Sequence, residues 1–356
     1  MNRATTQRTW ENDRVLLDQA YSPGLYVPDL AYHLDEYAAR SALARRTLRW
    51  EEISYGPSYA EALHFFPAVA GSTSAARSSA VHASRAPYSA HRGAPLMIFI
   101  HGGYWRDPSR WESSFAAADF VRAGAAFAAL GYGPAPEFRL DDIVAQVRRG
   151  VLWLYRHATE LGVDPGQIFL AGASAGAQLA AMCLVDHWLP ITLRVRDVIR
   201  GACLVSGVYE LETLRHSYLG EAFGLSAAEA ARNSPLRHVF RAANRAPRAH
   251  QPGAGLPPLV LASGERETAA FAAQHGWYEA ALRQAGAHVT SLVAAARHHF
   301  DLPLGLGDPA TPLGRATLAQ LRVGPGPELR SGPELRSGPE LGPGPNQRSA
   351  GVMRRR

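Results

Sequence analysis

Lysine is missing. All 37 cationic side chains in the 356 residues are arginine. With alanine and glycine abundant, this reads as a compositional bias and not as a functional feature. The formal charge is +6, and residues 324–356, with six Arg and three Glu, carry +3 of it. Arginine dispersed among acidic residues is a solvated surface, so no nucleic-acid partner is expected. Cysteine is scarce. Cys183 and Cys203 both lie in apolar stretches and read as small buried hydrophobes with free thiols, not as a disulfide. No Cys/His spacing suits zinc, and no metal or cofactor is expected. Long apolar runs are lacking too. The opening "MNRATTQRTWENDRVLLDQAY" has none and is not read as a secretory signal. No later segment approaches the roughly 20 apolar residues of a membrane span. The expectation is a soluble, cytoplasmic protein with no membrane partner.

What is present is enough apolar material, 47% of residues, for a sizeable core. Residues 324–356 repeat the unit GPELRS with Pro and Gly in every copy and are expected to be a disordered tail. The stretches 71–95 and 244–258 are small, polar and aperiodic and are expected to be surface loops. Elsewhere strands and helices alternate. "TLRWEEISYG" (47–56) and "EALHFFPA" (61–68) read as a leading antiparallel strand pair. "PLMIFI", "GACLVSGVY" and "PPLVLASG" read as buried strands, "AAFAAL" as an apolar strand, "IFLAG" as a strand and "HVTSLVAA" as the last strand. Helical periods separate them over 112–125, 139–162, 174–188, 269–285 and 311–321, with a helical excursion over 209–240. That rhythm implies an α/β fold, a mainly parallel sheet with helices on both faces.

Three stretches could carry chemistry. "GASAG" (172–176) follows a strand and opens a helix, the setting in which G-x-S-x-G lifts a serine, here Ser174, above a sheet. Gly172 and Gly176 keep Cβ atoms out of the turn. "FIHGGYW" (99–105) is a glycine loop after an early strand. Gly102 and Gly103, with the residue after the serine, Ala175, are candidate N–H donors to an oxyanion. His101 is expected to brace that loop. Tyr104 and Trp105 either line a substrate pocket or simply pack. The third stretch needs an acid and then a histidine. Glu265 and Glu267 follow one late strand, and His298 and His299 follow the last. The residues alone do not divide either pair. His157, His187, His216, His238 and His275 are expected on the surface.

"IHGGYW", "GASAGAQLA", "SGVYELETL" with "NSPL", "SGERETAAFAAQ" and "RHHFDL" together resemble the kynurenine formamidase (arylformamidase) branch of the α/β-hydrolases. "YSPGLYVPDL" and "EEISYGPSYAEALHFFPA" extend the likeness over roughly 20–322. The resemblance implies an α/β-hydrolase domain over 1–323, with an eight-stranded sheet and a small helical cap. It implies Ser174 as nucleophile, His299 (followed by Phe300) as base, and Glu267 as acid. Here the sequence departs from the family, which usually has Asp at the acid position. It departs again in "TAAF", where relatives have Ser-Pro-Glu-Phe, and in lacking an Asp in "LHFFPA". The implied activity is hydrolysis of N-formyl-kynurenine to kynurenine and formate. A carboxylesterase of small acyl or aryl esters and a non-catalytic binding protein of the same fold stay open. The expected partner is a small-molecule substrate, with a homodimer as an option.

Overall fold

In the computed structural model, residues 9–69, 93–107, 109–185, 188–243 and 255–322 are described. Eight strands form one sheet: β1 (Glu51–Ser54), β2 (Ala62–Phe66), β3 (Ala94–Ile100), β4 (Ala126–Leu130), β5 (Val163–Ala173), β6 (Gly201–Val205), β7 (Leu259–Gly264) and β8 (Val289–Ala294). Their order is β1-β2-β4-β3-β5-β6-β7-β8. β1 and β2 are antiparallel additions at one edge, and β3 to β8 run parallel. The α/β architecture and the leading pair are as expected from the sequence; β3 to β7 are largely buried, whereas the edge strand β8 buries only Ala294.

Alternation along the strands divides the core in two. In β3, Leu96, Ile98 and Ile100 belong to one cluster, and Met97 and Phe99 to the other. Helices Leu140–Arg156, Ala175–Met182 and Ala269–Gln284 cover the first face. Helices Ala117–Arg122 and Pro312–Leu321 cover the second. The helical excursion resolves into short helices Leu211–Arg215, Tyr218–Phe223 and Ala227–Arg232, with a 3-10 turn Pro235–His238. Cys183 and Cys203 are free and fully buried, and burial pushes both thiols up to about 12.

Several boundaries differ from the sequence expectation. Residue 47 ends a helix, Leu30–Thr47, and β1 begins only at Glu51. The helix expected over 139–162 stops at Arg156, and Gly162, at φ +71°, closes a following turn. The helix after Ser174 ends at Met182. His275 is a correction: it is buried, with Nε2 bonded to Ser291 Oγ at 3.0 Å, because the helix Ala269–Gln284 turns that side toward β8. The tail 324–356, most of the stretches 71–95 and 244–258, and His187 lie outside the described residues. Among the described residues no helix is long and apolar enough to cross a membrane.

Candidate active site

The residues singled out follow the ends of the parallel strands β3, β5, β7 and β8. Ser174 follows β5 at φ +55°, and the helix opens at Ala175. This turn at positive φ works only because Gly172 and Gly176, two residues to either side, have no side chains. A Cβ on Gly172 would stand 2.2 Å from Gly176 O, and one on Gly176 would stand 2.0 Å from Ile100 O. The Ser174 N–H donates to Val205 O of β6 at 2.8 Å, which fixes the turn against the sheet.

The loop after β3 lies directly against this serine. A Cβ on Gly102 would meet Ala173 O at 2.7 Å and Ser174 Cβ at 3.1 Å. Gly103, Tyr104 and Trp105 then adopt φ of +84°, +50° and +59° in succession. Two consecutive side-chain-bearing residues in that region carry a cost that surrounding contacts must offset. Those contacts are visible. His101 stacks on Tyr132 at 4.0 Å, and the Tyr132 hydroxyl donates to His101 O (2.9 Å) and Gly102 O (3.2 Å). Burial pushes His101 down to about 4, so it is a neutral brace, as expected. Trp105 is 2% exposed, its indole N–H donates to Gln178 Oε1 at 3.0 Å, and its ring borders a small cavity with Phe138, Phe223 and Leu225. Gln178, itself fully buried, passes its amide on to Asn233 O at 2.8 Å. Tyr104 stays half-buried, with its hydroxyl donating to Tyr21 O.

The carboxylate and histidine pairs are divided by geometry. His299 Nδ1 lies 3.0 Å from Glu267 Oε2, with the two side chains 7% and 1% exposed. Ser206, at φ +50° after β6, donates from Oγ to Glu267 Oε1 at 2.5 Å. Burial alone would push the Glu267 carboxyl up. The charge of His299 and hydrogen bonds from His299, Ser206 and the backbone at Gly264 outweigh it, and the group sits below the ordinary carboxylate value. The His299 ring packs edge-on against Phe271 at 4.3 Å. Glu265 is exposed and accepts from Ala296 N at 2.8 Å, which only ties the two loops together. His298 faces away. Its Nδ1 accepts from Phe300 N (3.2 Å) and Asp301 N (3.3 Å), and its ring packs on His33 at 4.6 Å.

Ser206, Gln178 and Gln274 were not singled out in the sequence. The one available signal was their place inside "SGVYELETL", "GASAGAQLA" and "TAAFAAQ". Among the described residues no three His, Cys, Asp or Glu side chains cluster to hold a metal ion.

A mostly parallel sheet with a serine on a strained strand-to-helix turn, a glycine loop beside it and a Glu–His pair two strands away defines an α/β-hydrolase. A family model for the alpha/beta hydrolase fold matches residues 97–301. The kynurenine formamidase of Danio rerio is 33% identical over 216 residues, 61% of this chain and 69% of that protein. That of Salmo salar is 39% identical over 145 residues, 41% of this chain and 47% of that protein. A solved Silicibacter protein described as a candidate thioesterase superposes with TM-score 0.65 at 27% identity, over 84% of this chain and 97% of that one. The chain belongs to the kynurenine formamidase-like branch of the α/β-hydrolases.

Proposed function

We propose that the chain is a serine hydrolase of small acyl amides, with N-formyl-kynurenine as the substrate. The observation that carries this reading is the buried His299–Glu267 bond of 3.0 Å at the strand ends that also hold Ser174 and Gly102. The chemistry follows from the residue types. His299 takes the Ser174 proton on Nε2 while Nδ1–H stays bonded to Glu267. Ser174 Oγ attacks the formyl carbon, and N–H groups of Gly102, Gly103 and Ala175 receive the oxyanion. The C–N bond breaks as His299 returns the proton to the leaving arylamine nitrogen. Water, deprotonated by His299, then attacks the formyl-serine; the bond from carbon to Ser174 Oγ breaks, His299 returns the proton to Oγ, and formate leaves. Glu267 holds the imidazole in one tautomer and balances its charge.

The Danio rerio and Salmo salar relatives, kynurenine formamidases by name, support the formamide over an ester. Parallel turnover assays on N-formyl-kynurenine and p-nitrophenyl acetate test it. Formamide turnover lost in Ser174→Ala is the expected result. Ester turnover without formamide turnover would make the protein a carboxylesterase. No labelling of Ser174 by a fluorophosphonate in the folded protein would leave only a binding role.

A further inference from the structure

The segment before β1 lies outside the matched residues 97–301, yet it is bonded to the loops after β3, β7 and β8. Three side-chain hydroxyls make the connection, each to a main-chain carbonyl. Tyr104, in the loop after β3, donates to Tyr21 O. Thr268, next to Glu267, donates from Oγ1 to Ala20 O at 2.5 Å. Tyr37, on the helix Leu30–Thr47, donates to Phe300 O, next to His299, at 2.7 Å. Two adjacent carbonyls, those of Ala20 and Tyr21, therefore tie the oxyanion loop to the acid loop.

Tyr21 is fixed in turn from three sides. It is fully buried, and burial pushes its hydroxyl up to about 12, so it is a neutral donor and acceptor. Gln274 Nε2 donates to that hydroxyl at 2.9 Å. Because an amide N–H can only donate, the Tyr21 proton is available to Thr213 Oγ1, 2.5 Å away on the cap. Gln274 Oε1 is occupied by the N–H groups of Tyr209 and Glu210, both at 2.8 Å. The Tyr21 ring packs edge-on against Phe271 at 6.1 Å, and Phe271 packs against the His299 ring.

We propose that residues 13–47 are a positioning frame for the site, holding the oxyanion, acid and base loops in one register through Tyr104–Tyr21, Thr268–Ala20 and Tyr37–Phe300 bonds. The inference rests on the serine-hydrolase reading. Its physical basis is that three loops from separate strand ends have no other common partner of this kind among the described residues. A displacement of about 1 Å between reacting groups can cost on the order of a hundredfold in rate.

The test uses the full chain with Tyr37→Phe, Thr268→Val and the double variant, assayed well below their unfolding temperatures. Each removes one hydroxyl and keeps the packing volume. A merely structural role would lower stability alone. A positioning role lowers kcat and the rate of fluorophosphonate acylation by roughly tenfold per bond, with KM changed less than about twofold. Val198→Ala, buried at the opposite end of the sheet, serves as the control, destabilised but with kcat intact. Parental acylation rates in the double variant, or an equal loss of kcat in Val198→Ala, would overturn the frame. An unlabelled parent protein would instead overturn the serine-hydrolase reading itself.

Discussion

Glu267 is the proposed acid of the site. Its two oxygens are held separately, Oε2 by His299 and Oε1 by Ser206. Ser206 reaches it only because φ at that residue is +50°, which turns the hydroxyl across the end of β6 toward the loop after β7. A carboxylate 1% exposed with both oxygens paired stays charged where burial alone would neutralise it. Replacing the acid by its amide leaves the shape and removes the charge, so Glu267→Gln should cut kcat on the order of 10³–10⁴-fold. Glu265→Gln, at an exposed loop tie, should stay within about twofold. Steady-state kinetics of the two variants checks the assignment, and the reverse ranking would move the acid to Glu265. Ser206→Ala removes a charge-assisted bond and should lower kcat by roughly tenfold. For the base, His299→Ala should be inactive and His298→Ala should keep most activity. An active His299→Ala would reassign the proton transfer.

At the scale of elements, the turn from β5 into the helix Ala175–Met182 is a tight junction packed against β3. A methyl group on Gly176 would meet Ile100 O at 2.0 Å and His101 O at 2.3 Å, both main-chain atoms of β3 and its loop. Neither can move without unpairing β3 from β5. Gly176→Ala should therefore cost ~3 kcal/mol or more and shift the glycine loop away from Ser174. Urea unfolding and fluorophosphonate labelling together measure both effects. Wild-type stability with full labelling would mean the junction is looser than its geometry. These strands were legible in the sequence because their apolar runs are short and stopped by glycine. The helix Leu30–Thr47 was not, because it fully buries only Ser41 and Ala44 and so shows no apolar stripe. The Glu265/Glu267 and His298/His299 choices were not legible either. Side-chain direction in a loop depends on local backbone angles, such as φ +59° at Ala296, which residue types do not reveal. Likewise Ser206, Gln178 and Tyr37 find partners 61, 55 and 263 residues away, and no local pattern encodes such distances.

The molecule as a whole carries buried histidines that make its stability depend on acidity. His64 of β2 is fully buried between Trp50 and Trp111, with ring centroids at 4.8 and 4.5 Å. Neither of its nitrogens has a hydrogen-bond partner among the described residues. Burial, then the charges of Arg45 and Arg110, push it down to about 4 from the ordinary 6.5. His101 is pushed down to about 4 by burial. In the unfolded chain such groups take up protons near pH 6.5, while in the folded chain they stay neutral until about 4. Between those values the unfolded state binds more protons, so stability rises with pH and is lost as pH falls through that window. The protein should therefore be measurably less stable at pH 5 than at pH 7. His64→Phe keeps a flat ring between the two tryptophans and leaves no nitrogen to protonate. It should flatten the decline by ~1 kcal/mol without touching Ser174, Glu267 or His299, which follow β5, β7 and β8. Urea midpoints of parent and variant at both pH values measure the difference. Parallel declines in the two proteins would show that the acid sensitivity resides elsewhere, with His101 behind the glycine loop as the next group to replace.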